Sequence, residues 1–182
     1  MQIIDTRLDS VKIIEPKIFG DDRGFFLESW NRHVFEDNGL PGSFVQDNHS
    51  RSSQGVLRGL HYQLKNPQGK LVRVTQGEVY DVAVDMRRSS SQFGQWAGVL
   101  LSESNKRQLW VPPGFAHGFY VISASADFQY KCTDYYAPEF ERSLLWNDEA
   151  VGIEWPIIEG TAPKLATKDE AGKPLEHCDT FD

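Results

Sequence analysis

The chain is poor in cysteine, in long apolar runs and in leader-like features, and each shortage excludes a class of protein. Its 182 residues include only two cysteines, Cys132 and Cys178, without CxxC spacing, so we expect free buried thiols and no disulfide framework. No apolar run approaches the roughly 18 residues that a membrane-spanning helix needs. The first residues are neither basic nor followed by an apolar stretch with a cleavage site. A cytoplasmic protein is the expectation.

Positive charge is also in short supply. The chain has 19 Lys and Arg against 26 Asp and Glu, which gives a formal net charge of -7. This balance argues against general binding to nucleic acid or to an anionic membrane. An anionic small molecule stays compatible with it, because a few arginines and lysines in one cleft outweigh the global charge locally.

Helical patterns are nearly missing, and short strands take their place. Runs rich in Val, Ile, Tyr, Phe and Trp alternate with Gly, Pro, Asn and Asp, without a helical period of about ten residues between them. The length fits a single domain over residues 1–182. Residues 32–37 predict a short helix that Asn38-Gly39 ends, and residues 147–182 predict loops and another short helix. We therefore predict an all-β barrel or sandwich with peripheral helices and a C-terminal extension.

Two segments place one histidine each among glycines and apolar residues. Residues 55–63 contain His61, residues 112–119 contain His117, and together they resemble the two signature halves of a cupin-type double-stranded β-helix. Metal-binding cupins supply His-x-His and then a glutamate. Here Gln63 stands two positions after His61 and no carboxylate follows nearby, and a neutral amide is a poor metal ligand. We expect no metal.

Charged residues near His61 leave two interpretations open. Arg58 and Lys70 could form an anion clamp beside a general base, or they could be solvated residues of an edge strand. Strand alternation alone would not place Arg58 and His61 on one face, but a bulge at Gly59 would re-aim one of them.

Asp81 and Tyr130 are ambiguous for a different reason. Asp81 lies in an apolar strand, opposite in phase to Tyr80 and Val82, so its carboxylate must be paired. It could orient a histidine, or it could belong to a structural polar cluster. Tyr130 shares a strand face with Phe128, which favours a core tyrosine on the residues alone.

Longer segments carry a resemblance to a known family. They are residues 22–26 (DRGFF), 44–50 (FVQDNHS), 56–63 (VLRGLHYQ), 77–85 (GEVYDVAVD), 111–119 (VPPGFAHGF) and 130–136 (YKCTDYY). In this order and spacing they resemble the deoxythymidine-diphosphate (dTDP) 4-dehydrorhamnose 3,5-epimerases. The resemblance implies a cupin jelly roll that works as a homodimer without metal or organic cofactor.

The implied reaction is epimerisation of dTDP-4-dehydro-6-deoxy-D-glucose at C3 and C5, through enolates, to dTDP-4-dehydro-L-rhamnose. It needs a base, an acid on the opposite face and a positive group at the ketone oxygen. An epimerase of C3 alone or C5 alone is the alternative, because the same residues would serve it.

The resemblance also implies roles for individual residues. His61 is the base, Asp169 orients it, Lys70 stabilises the enolate oxygen and Tyr130 is the acid, with Asp81 as a second carboxylate near the histidines. Binding roles fall to Arg23 and Arg58 at the diphosphate, Glu28, Gln46 and Asn48 at the thymidine, Tyr136 and the walls Phe19 and Phe26 at the base, His117 at the sugar or diphosphate, and Glu141 and Lys168 elsewhere. The partner subunit is expected to complete the nucleotide site.

Overall fold

Short β-strands make up most of the regular secondary structure in the computed structural model, which describes residues 1–182. The strands are β1 Gln2–Asp5, β2 Lys12–Glu15, β3 Ile18–Asp21, β4 Gly24–Leu27, β5 Gln46–Ser53, β6 Leu57–Gln63, β7 Lys70–Gln76, β8 Glu78–Asp85, β9 Trp96–Ser102, β10 Gln108–Val111, β11 Phe115–Val121, β12 Ser125–Cys132 and β13 Glu141–Ser143. The helices are α1 Arg32–Asp37 and α2 Thr167–Glu170, with 3-10 turns at Pro138–Phe140 and Leu175–His177. No helix is both long and apolar enough to cross a membrane.

Two antiparallel sheets face each other. One has the strand order β1-β2-β10-β7-β12-β5 and the other has the order β13-β6-β11-β8-β9. The main core of 16 buried residues lies between them, with Val72 and Phe128 from the first sheet against Val79 and Phe119 from the second. The predicted all-β jelly roll with short peripheral helices is confirmed.

Strand β8 shows why the alternation in the sequence was informative. Val79, Asp81 and Ala83 point into the main core side, whereas Val82 and Val84 pack on the outer face of the sheet. Because both faces are covered, the strand is apolar from Val79 to Val84, and Asp81 is the exception inside that stretch.

The outer faces are covered by the parts of the chain that are not strands. The C-terminal extension packs Trp155 and Phe181 on the five-stranded sheet, next to the buried Cys178. Helix α1 packs Phe35 against Trp110 of the six-stranded sheet. This helix has the predicted bounds; the Asn31 side chain accepts a bond from Val34 N at its start.

The β3–β4 hairpin belongs to neither large sheet. Its strands pair only with each other, and they leave Phe19, Phe25 and Phe26 largely exposed. The apolar and aromatic run over residues 23–30 predicts a longer strand here, and that length is wrong, because pairing ends at Leu27. The pattern over residues 119–122 likewise predicts a strand that starts too late, since β11 begins at Phe115 and so contains His117.

Candidate active site

A bulge in β6 sets the direction of the residues around His61. Between the pairs His117–His61 and Phe119–Arg58, β6 advances three residues while β11 advances two. The extra residue turns Arg58 and His61 to the same side, where both line one cavity. Gly59 lies in this bulge with φ +125°, and a Cβ there would come within 2.5 Å of the Gly118 Cα. Only glycine fits so close an approach of two strands.

His61 is held by a carboxylate from far along the chain. Its Nε2 lies 2.7 Å from Asp169 Oδ1, and 108 residues separate the two. Asp169 is buried on the short helix α2, where its oxygens also accept bonds from Gly59 N and Ala166 N, each at 3.2 Å. Burial acts to raise the pKa of Asp169, but these hydrogen bonds outweigh it and lower the pKa. The group facing His61 is therefore an anion.

The protonation of His61 is governed mainly by burial. Loss of solvent lowers its pKa below the ordinary 6.5, against the opposing effect of Asp169, while Lys168 lowers it further. Near neutral pH the imidazole is unprotonated, as a general base must be. With Nε2 engaged by Asp169, Nδ1 is the ring nitrogen that is left to accept a proton.

His117 forms a second pair beside the first. Its Nε2 lies 2.8 Å from Asp81 Oδ1, and both residues are buried. His117 is the Cα partner of His61 across β6 and β11. The structure therefore pairs Asp169 with His61 and Asp81 with His117, a distinction that the sequence left open.

Lys70 and Tyr130 complete the cavity from the other sheet. The Lys70 ammonium has no hydrogen-bond partner in the protein, and burial lowers its pKa below 10.5. Burial raises the pKa of Tyr130 above 10, so its hydroxyl stays protonated. Tyr130 packs against the core and also lines the cavity. Its position is therefore compatible with a core tyrosine and with a residue of the site.

The cavity is small and positively charged. Its volume is about 180 Å³, and its walls include Arg58, Lys70 and Lys168 together with both histidines. In a chain with a net charge of -7, this local excess of cations favours an anionic ligand. No group of three or more His, Cys, Asp or Glu side chains is arranged to hold a metal ion.

A chain of polar contacts starts at Lys168, which lines the cavity, and continues through residues that do not line it. Gln46 Oε1 accepts from Tyr136 N at 2.9 Å, and Gln46 Nε2 donates to Asn48 Oδ1 at 3.2 Å. Tyr136 donates its hydroxyl proton to Glu141 at 3.2 Å, and Glu141 pairs with Lys168. Five residues that the resemblance assigned to binding thus adjoin one another.

Four further predicted residues lie outside both the cavity and this chain of contacts. Phe19, Arg23 and Phe26 lie on the β3–β4 hairpin, and the Arg23 side chain, 89% exposed, pairs with Asp21. Glu28 follows the hairpin and accepts a bond from Asn31. Within a single chain, the hairpin and the cavity share no lining residue.

Some residues of the site were missed from the sequence. Ser50 lines the cavity, and its two-residue spacing from Asn48 on β5 was the signal that could have found it. Cys132 accepts a bond from Asn48 Nδ2 at 3.6 Å and is the Cα partner of Lys70. Nothing in its local sequence distinguished it from a core cysteine.

The fold and the site together define an acid–base enzyme built on a cupin-type jelly roll. A family model described as dTDP-4-dehydrorhamnose 3,5-epimerase matches residues 5–177. The chain therefore belongs to the dTDP-4-dehydrorhamnose 3,5-epimerase family, and it is an isomerase.

Individual relatives agree with this assignment. A curated dTDP-4-dehydrorhamnose 3,5-epimerase of Pseudomonas aeruginosa is 58% identical over 175 residues, which cover 96% of each chain. The crystal structure of a dTDP-6-deoxy-D-glucose-3,5-epimerase from Legionella pneumophila, in complex with dTDP-4-keto-L-rhamnose, superposes with a TM-score of 0.94 at 58% identity, covering 98% of this chain and 94% of that one. The epimerase of Elizabethkingia anophelis gives a TM-score of 0.92 at 48% identity, covering 97% of both chains.

Proposed function

We propose that His61, Tyr130 and Lys70 carry the proton transfers by which this isomerase epimerises dTDP-4-dehydro-6-deoxy-D-glucose at C3 and C5. The observation that carries the proposal is the convergence of these three side chains on one cavity, with Asp169 behind His61. The product is dTDP-4-dehydro-L-rhamnose, the precursor expected of dTDP-L-rhamnose biosynthesis.

The chemistry follows from the acidity of a C–H next to a ketone. His61 Nδ1 removes the proton from C3 or C5, and electron density moves to the C4 oxygen. The Lys70 ammonium, unpaired in the protein and half-buried, stabilises that charge. Tyr130 then donates its proton to the same carbon from the opposite face of the ring, which inverts the configuration.

The nucleotide is proposed to extend from the positive cavity along this chain of polar contacts. Arg58 is suited to the diphosphate because its guanidinium can form two parallel, charge-assisted bonds. Gln46 and Asn48 offer amides to the thymidine part, and the half-exposed Tyr136 offers a ring on which the base can stack.

The remainder of the site is proposed to come from a second copy of the chain. The exposed Phe19 and Phe26, together with Arg23 and Glu28, are then supplied by the partner's β3–β4 hairpin to the nucleotide. The homodimer is part of this proposal. A cytoplasmic location is another part, supported by the two free, buried cysteines.

Proton NMR of the 4-keto-6-deoxyglucose nucleotide in deuterated water, with the protein added, tests the proposal directly. Deuterium should enter both C3 and C5. Exchange at one carbon would replace the assignment with a single-site epimerase, and binding without exchange at either carbon would contradict the proposed mechanism.

A further inference from the structure

The two histidine–aspartate pairs have the same geometry but differently supported carboxylates. In each pair the imidazole Nε2 meets an aspartate, at 2.7 Å for His61 and 2.8 Å for His117, and Nδ1 has no partner in the protein. Their Cα atoms are direct partners on neighbouring strands, so both rings reach the same cavity.

The hydrogen bonds around Asp169 stabilise a carboxylate anion, whereas the surroundings of Asp81 do not. Asp169 accepts three hydrogen bonds, shared between both oxygens. Asp81 shares one, with His117 Nε2, and its Oδ2 is buried without any partner. A fully buried carboxylate oxygen with no hydrogen bond is costly as part of an anion and much less so as part of a neutral acid.

We infer that the Asp81–His117 pair holds one more proton than the Asp169–His61 pair, so that His117 presents an Nδ1–H donor to the C4 ketone oxygen of the keto sugar. With that proton count, Nδ1–H is present whether the shared proton lies on Asp81 or on His117 Nε2. The inference rests on the proposed function, and it makes Asp81 the positioning residue for His117.

The electrostatics of the two pairs support this difference. Burial raises the pKa of Asp81, and the opposing effects of His117 and Lys70, which both face it, do not cancel the rise. For Asp169 the hydrogen bonds outweigh burial, and its pKa is lowered.

The position of His117 suits the role. C4 is bonded to both carbons that lose a proton, so a donor to the C4 oxygen must lie beside the base, and His117 is the strand partner of His61. Phe128 stacks on the His117 ring, with centroids 6.2 Å apart and planes 28° apart, which restricts its rotation. His117 and Lys70 would then form a two-donor site for the enolate oxygen.

The same isosteric change in each pair should have opposite effects. In Asp169→Asn, the amide cannot accept all three hydrogen bonds and carries no negative charge to hold the His61 proton on Nε2, so kcat should fall by on the order of 10³–10⁴-fold, as for loss of the carboxylate behind other catalytic histidines. In Asp81→Asn, the amide would donate to His117 Nε2 and keep Nδ1–H, and its oxygen would occupy the unpartnered position, so kcat should fall by less than about tenfold.

Nitrogen-15 NMR of the histidines in the unaltered protein provides the second readout, with His117→Gln used to assign the signals. A protonated Nδ1 on His117 and an unprotonated Nδ1 on His61 at neutral pH would support the inference. An unprotonated His117 Nδ1 would overturn it, as would an Asp81→Asn loss equal to that of Asp169→Asn in a variant that still binds dTDP. Failure of the proposed function would be distinct, because the unaltered protein would then exchange no deuterium.

Discussion

At the scale of single residues, the local environment determines the protonation state of each ionisable group in the site. His61 and His117 are the same residue type on neighbouring strands, yet one is backed by a fully hydrogen-bonded anion and the other by a carboxylate with an unpartnered oxygen. Burial moves the pKa of Lys70 down and that of Tyr130 up, so the lysine becomes the easier of the two to deprotonate.

Removal of the base should stop the chemistry while sparing binding. For His61→Ala we expect deuterium exchange at C3 and at C5 to fall together by at least about 10²–10⁴-fold, the usual contribution of a general base. Affinity for dTDP, measured by calorimetry, should change little. His33→Ala, on the exposed face of α1, is the matched control. Substantial residual turnover would remove His61 as the base.

Tyr130→Phe separates the two proton transfers. The substitution preserves the ring that packs on the core but removes the acid, so net epimerisation should fall more than deprotonation at the first carbon. Product formation and deuterium wash-in, measured in the same sample, give the two rates. If both rates in the variant equalled those of the wild-type protein, Tyr130 would have only a structural role.

The pH dependence of kcat/KM should reflect His61 on the acid side and Lys70 on the alkaline side. Because burial lowers the pKa of His61, the base stays neutral below pH 6.5, and the acid limb should lie below that value. With rising pH, Lys70 loses its proton before Tyr130 does, since its pKa is lowered from 10.5 while that of Tyr130 is raised from 10.

Lys70→Arg checks the alkaline assignment. A guanidinium stays charged above pH 12, so the alkaline limb should move upward in this variant even if kcat falls. An alkaline limb at the same pH in both proteins would assign it to Tyr130 instead.

At the scale of elements, the bulge in β6 determines whether a charged strand becomes a site. The odd spacing of Arg58 and His61 left an anion clamp and an edge strand equally compatible with the sequence. The sequence did suggest Gly59 as a bulge, but the register against β11, which decides the matter, depends on a strand 58 residues later. Local patterns predicted α1 and most strands, whereas long-range pairing decided the site.

The β3–β4 hairpin and Tyr130 show the same limit. The strands of this hairpin pair only with each other, so each ends where that short ladder of hydrogen bonds ends. The sequence directly beside Leu27 contains no turn or breaker residue that would predict this end. Tyr130 has core neighbours in its own strand, and only the packing of two sheets shows that its ring also meets the cavity. The proposed contribution of a second copy of the chain cannot be read from the sequence or from a single folded chain.

Gly59→Ala tests the bulge. The residue would need φ +125°, and its Cβ would meet the Gly118 Cα at 2.5 Å, so strain and overlap together should cost more than about 3 kcal/mol of unfolding free energy. Displacement of β6 should also reduce activity sharply. Gly160→Ala has a positive φ of 75° but open space around it, and it should cost about 1–2 kcal/mol without loss of activity.

Urea unfolding and deuterium exchange measure these two effects. Wild-type activity in a folded Gly59→Ala protein would show that the close approach of the two strands does not position the site.

At the scale of the whole molecule, the separation of the hairpin from the cavity makes a prediction about mixed dimers. His61→Ala retains an intact hairpin, and Arg23→Ala retains an intact cavity. Each homodimer should be nearly inactive at low substrate concentration. In a mixed dimer one cavity with His61 meets one hairpin with Arg23, so an equal mixture should recover about a quarter of wild-type activity.

Subunit exchange under mild denaturant, followed by an activity assay and sedimentation, gives the measurement. The mixture of His61→Ala with Lys70→Ala is the control, since both changes lie in the cavity. In that mixed dimer no cavity has both residues, so no activity should return. Recovery in the control, or none in the test pair, would contradict a site shared between subunits.

The distance along the chain between His61 and Asp169 ties catalysis to the order of synthesis. His61 is made 108 residues before the carboxylate that orients it, and β6, β8 and β11 can already pair when Asp169 has not left the ribosome. Asp81, by contrast, is made before its own histidine. The nascent pair of sheets would therefore hold the proposed His117 donor but lack an oriented base, and reactive enolates could form only after the C-terminal extension had docked.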